Sequence, residues 1–417
     1  MKKQQKSYFE DRHFYKVNGC GVNYSIVPQS CFQRLFLTAD SGQSQDPTTA
    51  LEHLLQTVRT VLQRENALES VIDVTVFLND IGHKELLRQC FRSFFGTHHP
   101  AITYVNQTNC SGALLSMELH AISRQNETVS IRRLSEQTVL LKYNDLSLLY
   151  CADILPERFS HGSYERSFSA FASLNQLLSG EHFDLMDVYR TWIHQGHIVA
   201  PEGDSQRYKE LNRARTDFFA DQRFLSRYLT LEFRGVAYPA STGIGANDFD
   251  IVMSAQAVST DRKDLIVTPL ENPEQTSAFD YGEFYSPKSP KFARAMAFVD
   301  QSDALIFVSG TASITDSESR HIGDPVQQTE LTLDNIEALI AQKNLCGHGI
   351  RSFSATLDQM ATVRVYIKNV EDYPAIRECC ERRLGMAPTI YTFADVCRPE
   401  LLVEIEGIAV PKRVEMP

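Results

Sequence analysis

Long apolar runs are missing from this sequence. None approaches the roughly 18 residues that a bilayer span needs, so no membrane partner is expected. The basic start MKKQQKSYFEDRHF has no apolar core after it, unlike a signal peptide, and the cytoplasm is the expected compartment. CxxC pairs are missing too. The nine cysteines (Cys20, Cys31, Cys90, Cys110, Cys151, Cys346, Cys379, Cys380, Cys397) are scattered and odd in number, which excludes a zinc ribbon or a disulfide framework. Most read as small buried apolar residues. Positive charge is not in excess: 41 Lys and Arg stand against 52 Asp and Glu, a net charge of -11. That argues against a nucleic acid as main partner but allows a local basic pocket for a small anion. His194 and His197 in HQGH, and the pair His98–His99, lack a spaced third ligand, so no metal is expected. The stretches SGTAS and STGIGA lack the lysine of a phosphate loop.

What is present is an ordinary globular composition, 43% hydrophobic and 22% charged, in a chain of 417 residues. That is more than one core usually organises. The chain repeats itself. VTVFLNDIGHKELLRQCFRSFFG (Val74 to Gly96) lines up without a gap on VRVYIKNVEDYPAIRECCERRLG (Val363 to Gly385). Each reads as an alternating strand, a turn and an amphipathic helix ending at glycine. Upstream, LFLTADSG and LIFVSGTA each precede a helix, Thr48 to Leu62 and Leu331 to Gln342. Downstream, HPAITYV matches APTIYTF, and ALLSMELHAI matches ELLVEIEGIA, which places Glu118 level with Glu404.

A weaker third copy lies between these two. Its parts are the strand Leu146 to Leu155, a helix Arg166 to Gly180, a strand Asp187 to Gln195 and a helix Ser205 to Asp221. Phe224 to Tyr238 is then expected to close the middle sheet, and Pro239 to Val258 to open the C-terminal unit. The predicted domains are therefore 1–125, expected to be structural in role, 126–238 and 239–417. Each is an α+β unit with a sheet on one side and helices on the other.

The last strand poses a question. In LLVEIEG, Leu402, Glu404 and Glu406 share one face and Leu401, Val403 and Ile405 the other. Burial would keep such a carboxyl protonated near neutrality, a state suited to general acid work; a Glu–Arg pair inside the sheet would equally offset the burial cost. Glu406 could raise the pKa of Glu404 by like-charge proximity or pair with a base. Arg215 sits in a charged run that a solvated helix face explains equally well. Tyr208 and Tyr281 also fit a half-buried core, and Arg294 a structural ion pair. Glu118 lacks obvious partners and reads as structural.

The strand–helix–strand order ending in VEIEGIAV resembles the Rid/YjgF family of small trimeric deaminases. That family implies an arginine eight residues before the last-strand glutamate. Val396 and Cys110 stand there instead, and Arg398 lies six residues before Glu404. From about Leu146 onward the chain more closely resembles the chorismatases, which are built from Rid-like units. The resemblance is carried by YRTW, RYKELNRAR, PASTGIGA, ENPEQTSAFDYGEFYSPKSPKFARA, FVSGTASI, HIGDPVQQ and LLVEIEG, in family order. Ile193–His194 departs from an expected Asn-Tyr pair, and the complete N-terminal unit, Tyr8 to Arg124, is a second departure.

The resemblance implies three Rid-like units forming an intramolecular pseudo-trimer, monomeric or further associated. It implies chorismate as substrate, with no metal or organic cofactor. Glu404 would be the catalytic acid, and Tyr208, Arg215, Tyr281 and Arg294 the substrate-binding groups. Gly310 and Cys397 would determine product, because the hydrolytic branch tends to carry alanine at both positions. Their identity here implies 3-hydroxybenzoate and pyruvate, with some 4-hydroxybenzoate left open. Alternatives are hydrolysis to a dihydroxycyclohexadienoate, imine or enamine deamination, and a non-catalytic module that binds aromatic acids.

Overall fold

The computed structural model describes residues 14–19, 22–44, 46–124, 128–157, 160–248, 250–282 and 287–414. The basic start of the chain, Cys20 and part of the YSPKSP stretch lie outside them.

Three sheets follow one another along the chain, each built to the same plan. The first comprises β1 (Tyr15–Gly19), β2 (Val22–Pro28), β3 (Phe32–Asp40), β4 (Val71–Leu78), β5 (Ala101–Asn106) and β6 (Leu115–Arg124), with helices α1 (Pro47–Arg64) and α2 (Lys84–Phe95). Its strand order is β1-β2-β3-β6-β4-β5. The second has β7 (Ser130–Arg133), β8 (Thr138–Tyr143), β9 (Leu146–Ile154), α3 (Gly162–Gly180), β10 (Val188–Gly196), α4 (Arg207–Phe218), β11 (Ala240–Ala246) and β12 (Ile251–Ser259). Its order is β7-β8-β9-β12-β10-β11.

The third has β13 (Leu265–Leu270), β14 (Ala295–Asp300), β15 (Asp303–Ala312), α5 (Pro325–Ile340), α6 (Gln342–Gly347), β16 (Met360–Ile367), α7 (Tyr373–Leu384), β17 (Thr389–Phe393) and β18 (Val403–Ala409). It repeats the order again, β13-β14-β15-β18-β16-β17, and a short strand of the N-terminal unit, Thr108–Asn109, pairs antiparallel with β17 at its edge. In each sheet the fourth and fifth strands of the chain order run parallel and the remaining pairs antiparallel.

Local chemistry sets the ends of the helices. Asp46 and Asp324 cap α1 and α5 by accepting from Thr49 and Gln327 amides, with Pro47 and Pro325 at the first helical position. α2 and α7 stop at Gly96 and Gly385, at φ of 53° and 61°, where a side chain would be strained. Behind the first and third sheets, helices and strands close separate apolar cores. The largest cluster joins all three units: Phe32 of β3 meets Tyr143 of β8, and Tyr189 of β10 meets Phe298 and Phe307.

Three expectations are corrected. Pro239 to Val258 does not open the C-terminal unit: β11 pairs parallel to β10, and β12 lies between β10 and β9, so both complete the middle sheet. Phe224 to Tyr238 is not a strand. It is turn structure, with left-handed backbone at Leu225 and Gly235 and an almost fully exposed Leu231. The third correction concerns register. β16 pairs Tyr366 with Glu404 and Arg364 with Glu406, while β4 pairs Phe77 with Ser116 and Thr75 with Glu118. Because Thr75 aligns with Arg364, Glu118 is level with Glu406, and Ser116 holds the place of Glu404.

Candidate active site

The two acids of β18 meet the middle unit, and they are treated oppositely. Glu406 is buried at 1% exposure. It accepts hydrogen bonds from Arg190 and Trp192 on β10, Thr242 on β11, and Tyr366 and Arg364 on β16. Burial alone would raise its pKa, but these guanidiniums and hydroxyls outweigh burial and hold it below the usual carboxylate range. Glu404 is buried at 4%. Its carboxyl takes part in no hydrogen bond among the described residues. Burial first, and the charge of Glu406 second, push it up to about 8, against the weaker pull of Arg294 and Arg190. Glu404 is therefore a neutral carboxylic acid at pH 7, made so in part by an ionised neighbour.

The backbone of β15 makes room for it. A methyl placed on Gly310 would overlap the Glu404 carboxyl and crowd Thr242, whose hydroxyl accepts the Gly310 N–H at 3.0 Å. Cys397 belongs to the segment before β18, which docks on β11 where the Gly245 amide donates to the Asp395 carbonyl. Burial pushes the Cys397 thiol up to about 12, the nearby charge of Glu404 adding to the effect, so it is a neutral, soft wall.

The helix α4 brings Tyr208 and Arg215 to the same place. Arg215, 2% exposed, donates to Asn212 Oδ1 at 2.6 Å and reaches Ser241 at 3.5 Å, while its Nε has no partner. Arg294, 3% exposed, donates to the Thr276 carbonyl and to the Tyr281 hydroxyl, and its Nε is likewise unpartnered. Neither guanidinium forms a salt bridge to a carboxylate among the described residues. Both lie about the ring of Phe292, 5.5 and 5.6 Å from its centre. Two buried cations with no carboxylate bonded to them can hold a small dianion. Tyr208 packs on Gly243 at the strand face, and burial pushes its hydroxyl well above the usual phenol range.

Each of the seven residues singled out in the sequence thus falls at or beside one joint between the middle and C-terminal units. Val396, where a Rid arginine would sit, is fully buried in an apolar cluster with Ile244, Tyr366 and Leu401. Arg398 instead reaches Ser317 and Ser319 and lies 5.4 Å from the Tyr281 ring centre. His194 is buried against Phe77 with neither ring nitrogen partnered, and burial, reinforced by Arg364, lowers its pKa to about 3. It is a neutral packing residue. The described residues hold no cluster of three metal-ligating side chains, and no helix among them is long and apolar enough to cross a membrane.

Sequence reading missed Arg190, Trp192, Thr242, Arg364 and Phe292. YRTW was the signal for the first two. It also missed Glu271, near Arg294, whose carboxyl burial pushes up to about 7.

An α+β chain of three like-ordered units, with a neutral buried acid and two unpaired guanidiniums at one joint, defines a narrow class. No family model matches the chain. A 3-hydroxybenzoate synthase of Streptomyces hygroscopicus is 35% identical over 272 residues, 64% of this chain and 74% of that protein. A chorismatase of Streptomyces rapamycinicus is 33% identical over 226 residues, 52% of this chain and 63% of that one. A chorismatase crystal structure shares the fold, with a TM-score of 0.65 and 20% identity over 92% of this chain and all of that one. The latter span is too long to leave out the N-terminal unit, which therefore belongs to the shared fold. The chain belongs to the chorismatase family.

Proposed function

We propose that the protein cleaves chorismate to 3-hydroxybenzoate and pyruvate. The observation that carries the reading is the neutral Glu404 carboxyl beside two guanidiniums without anionic partners. Chorismate has two carboxylates and an enol-ether side chain. Arg215 and Arg294 would each take one carboxylate, because planar forks bind carboxylates with two parallel hydrogen bonds. Tyr208 and Tyr281 would add phenolic donors and ring faces. Glu404 would give its proton to the enol-ether methylene carbon, which makes the side chain ready to leave the ring as pyruvate. Glu406, locked by five hydrogen bonds, would stay ionised throughout.

Hydroxybenzoate and pyruvate together contain the atoms of chorismate, with no water added. The dihydroxycyclohexadienoate outcome consumes a water. Gly310 supports the first outcome, since a methyl there would overlap the Glu404 carboxyl where it now lies against β15; Cys397 is near enough to feel the charge of Glu404. A relative named for 3-hydroxybenzoate synthesis supports it as well.

Chorismate incubated with the wild type and with Glu404→Gln, followed by chromatography of pyruvate and aromatic products, tests the reading. Wild type should yield pyruvate and 3-hydroxybenzoate, and the variant should lose about a hundred- to ten-thousandfold in rate. A diene-diol as sole product would refute the product assignment. Ammonia released from an imino acid, with chorismate untouched, would return the deaminase alternative.

A further inference from the structure

The N-terminal unit sends a carboxylate to the arginine that also reaches Glu406. Glu118 on β6 accepts from Arg364 at 2.9 and 3.2 Å, a two-pronged grip, and from the Thr362 hydroxyl at 3.0 Å. Thr75 on β4 accepts from the same guanidinium at 3.1 Å. Against these contacts, Arg364 reaches Glu406 at 3.4 Å. Glu118, which shows no obvious partner in the sequence, thus has two, and Arg364 is divided between two units.

We propose that Glu118 is a positioning residue for the acid: by gripping Arg364 it withholds positive charge from Glu406 and Glu404, and so keeps Glu404 protonated. This rests on the reading of Glu404 as the proton donor. The argument is charge balance. Three carboxylates, Glu118, Glu404 and Glu406, share this interior with two guanidiniums that bond to any of them, Arg190 and Arg364. Arg364 neutralises mainly Glu118 and Arg190 mainly Glu406, which leaves Glu404 without a cation bonded to it. A buried group so placed keeps its proton. The other titratable groups facing the pair are Tyr366 on β16, His194 on β10, Tyr208 on α4, Cys397 before β18, and Arg294 before β14. The tyrosines, the histidine and the thiol are neutral near pH 7. Arg294 is common to wild type and variant.

Glu118→Gln keeps the shape and removes the charge. Arg364 then serves Glu406 and Glu404 alone, and Glu404 ionises more readily. The alkaline limb of kcat for chorismate should move down by about one pH unit, with kcat unchanged well below it. The protonated-carboxyl infrared band that Glu404→Gln abolishes should titrate down by the same amount, whether or not turnover is followed. Glu118→Asp, which keeps the charge, should hold the limb closer to wild type.

A folded Glu118→Gln with limb and band unmoved overturns the coupling, even where its rate falls at every pH, as a merely structural role would give. Should that variant not fold, Thr75→Val frees one contact of Arg364 and should move the limb the same way by less; no movement overturns the proposal. Turnover that survives Glu404→Gln overturns the acid assignment itself, whatever Glu118 does.

Discussion

Two joints between units can be laid over each other, and they differ in chemistry more than in shape. At one, α4 and β11 of the middle unit face β15 and β18. At the other, α7 and β17 of the C-terminal unit face β3 and β6. The second holds a cleft of about 560 Å3 lined by Asp40, Ser116, Tyr373, Arg377 and Tyr391, among others. Ser116 stands where the first joint has Glu404. Arg377, half exposed, is already bonded to Glu381 and to the Tyr373 hydroxyl. At the first joint, Arg215 and Arg294 are buried and lack carboxylates. The architecture therefore supplies the same joint twice over. What makes one of them a site is an acid kept neutral and cations kept unpaired, and both depend on exclusion of water.

The comparison breaks most severely if those cations are removed. Arg215→Met or Arg294→Met should each lower kcat/KM for chorismate by about ten- to hundredfold, the worth of a charged hydrogen-bond set to a carboxylate. Steady-state kinetics would show it mainly in KM, with circular dichroism confirming the fold. A loss confined to kcat would instead place the guanidinium at the bond being broken.

Next in size is the response to pH. With Glu404 as the proposed proton donor, the rate follows its protonated fraction, and burial together with Glu406 pushes that carboxyl up to about 8. The rate should accordingly be level below that value and fall tenfold for each pH unit above it, once binding is saturated. Had the carboxyl an ordinary pKa, activity would already be lost near pH 5. A kcat–pH profile from 5 to 10 distinguishes these, and the second joint, with serine at the matching place, contributes nothing to it.

Much of this joint was readable in the sequence, for identifiable reasons. The gapless match of Val74–Gly96 to Val363–Gly385 exposed two units because helix α2 and helix α7 end at the same glycine turn. The middle unit was misdivided because a long excursion separates α4 from β11. Leu229, Leu231 and Phe233 alternate there as in a strand, although Leu231 is almost fully exposed. The level of Glu118 was misjudged by two residues because a slip of two keeps the same face of a strand. Only pairing with β4 fixes it. The cage around Glu406 was illegible for another reason. Arg190 and Trp192 lie over 200 residues away, and nothing local in YRTW says which carboxylate they meet.

A smaller effect sharpens the contrast from within the site. Gly310→Ala puts a methyl where the Glu404 carboxyl now lies, with Thr242 Cγ2 only 3.1 Å from the new atom. The carboxyl must turn aside. The expected result is a roughly tenfold fall in kcat and a larger share of the diene-diol, as water gains the space the acid leaves. Chromatography of products gives both numbers. An unchanged product ratio would remove Gly310 from the groups that decide the outcome.

The least effect should come from the other joint. Arg377→Gln removes a cation from the corresponding helix face, but its charge is already spent on Glu381 and half exposed to water, where such pairs contribute at most about 1 kcal/mol. Chorismate kinetics should stay within about a factor of two of wild type, while the same exchange at Arg215 does not. A large loss at Arg377 would mean that the two joints act together. The difference between them would then lie in coupling rather than in the local balance of acid and base.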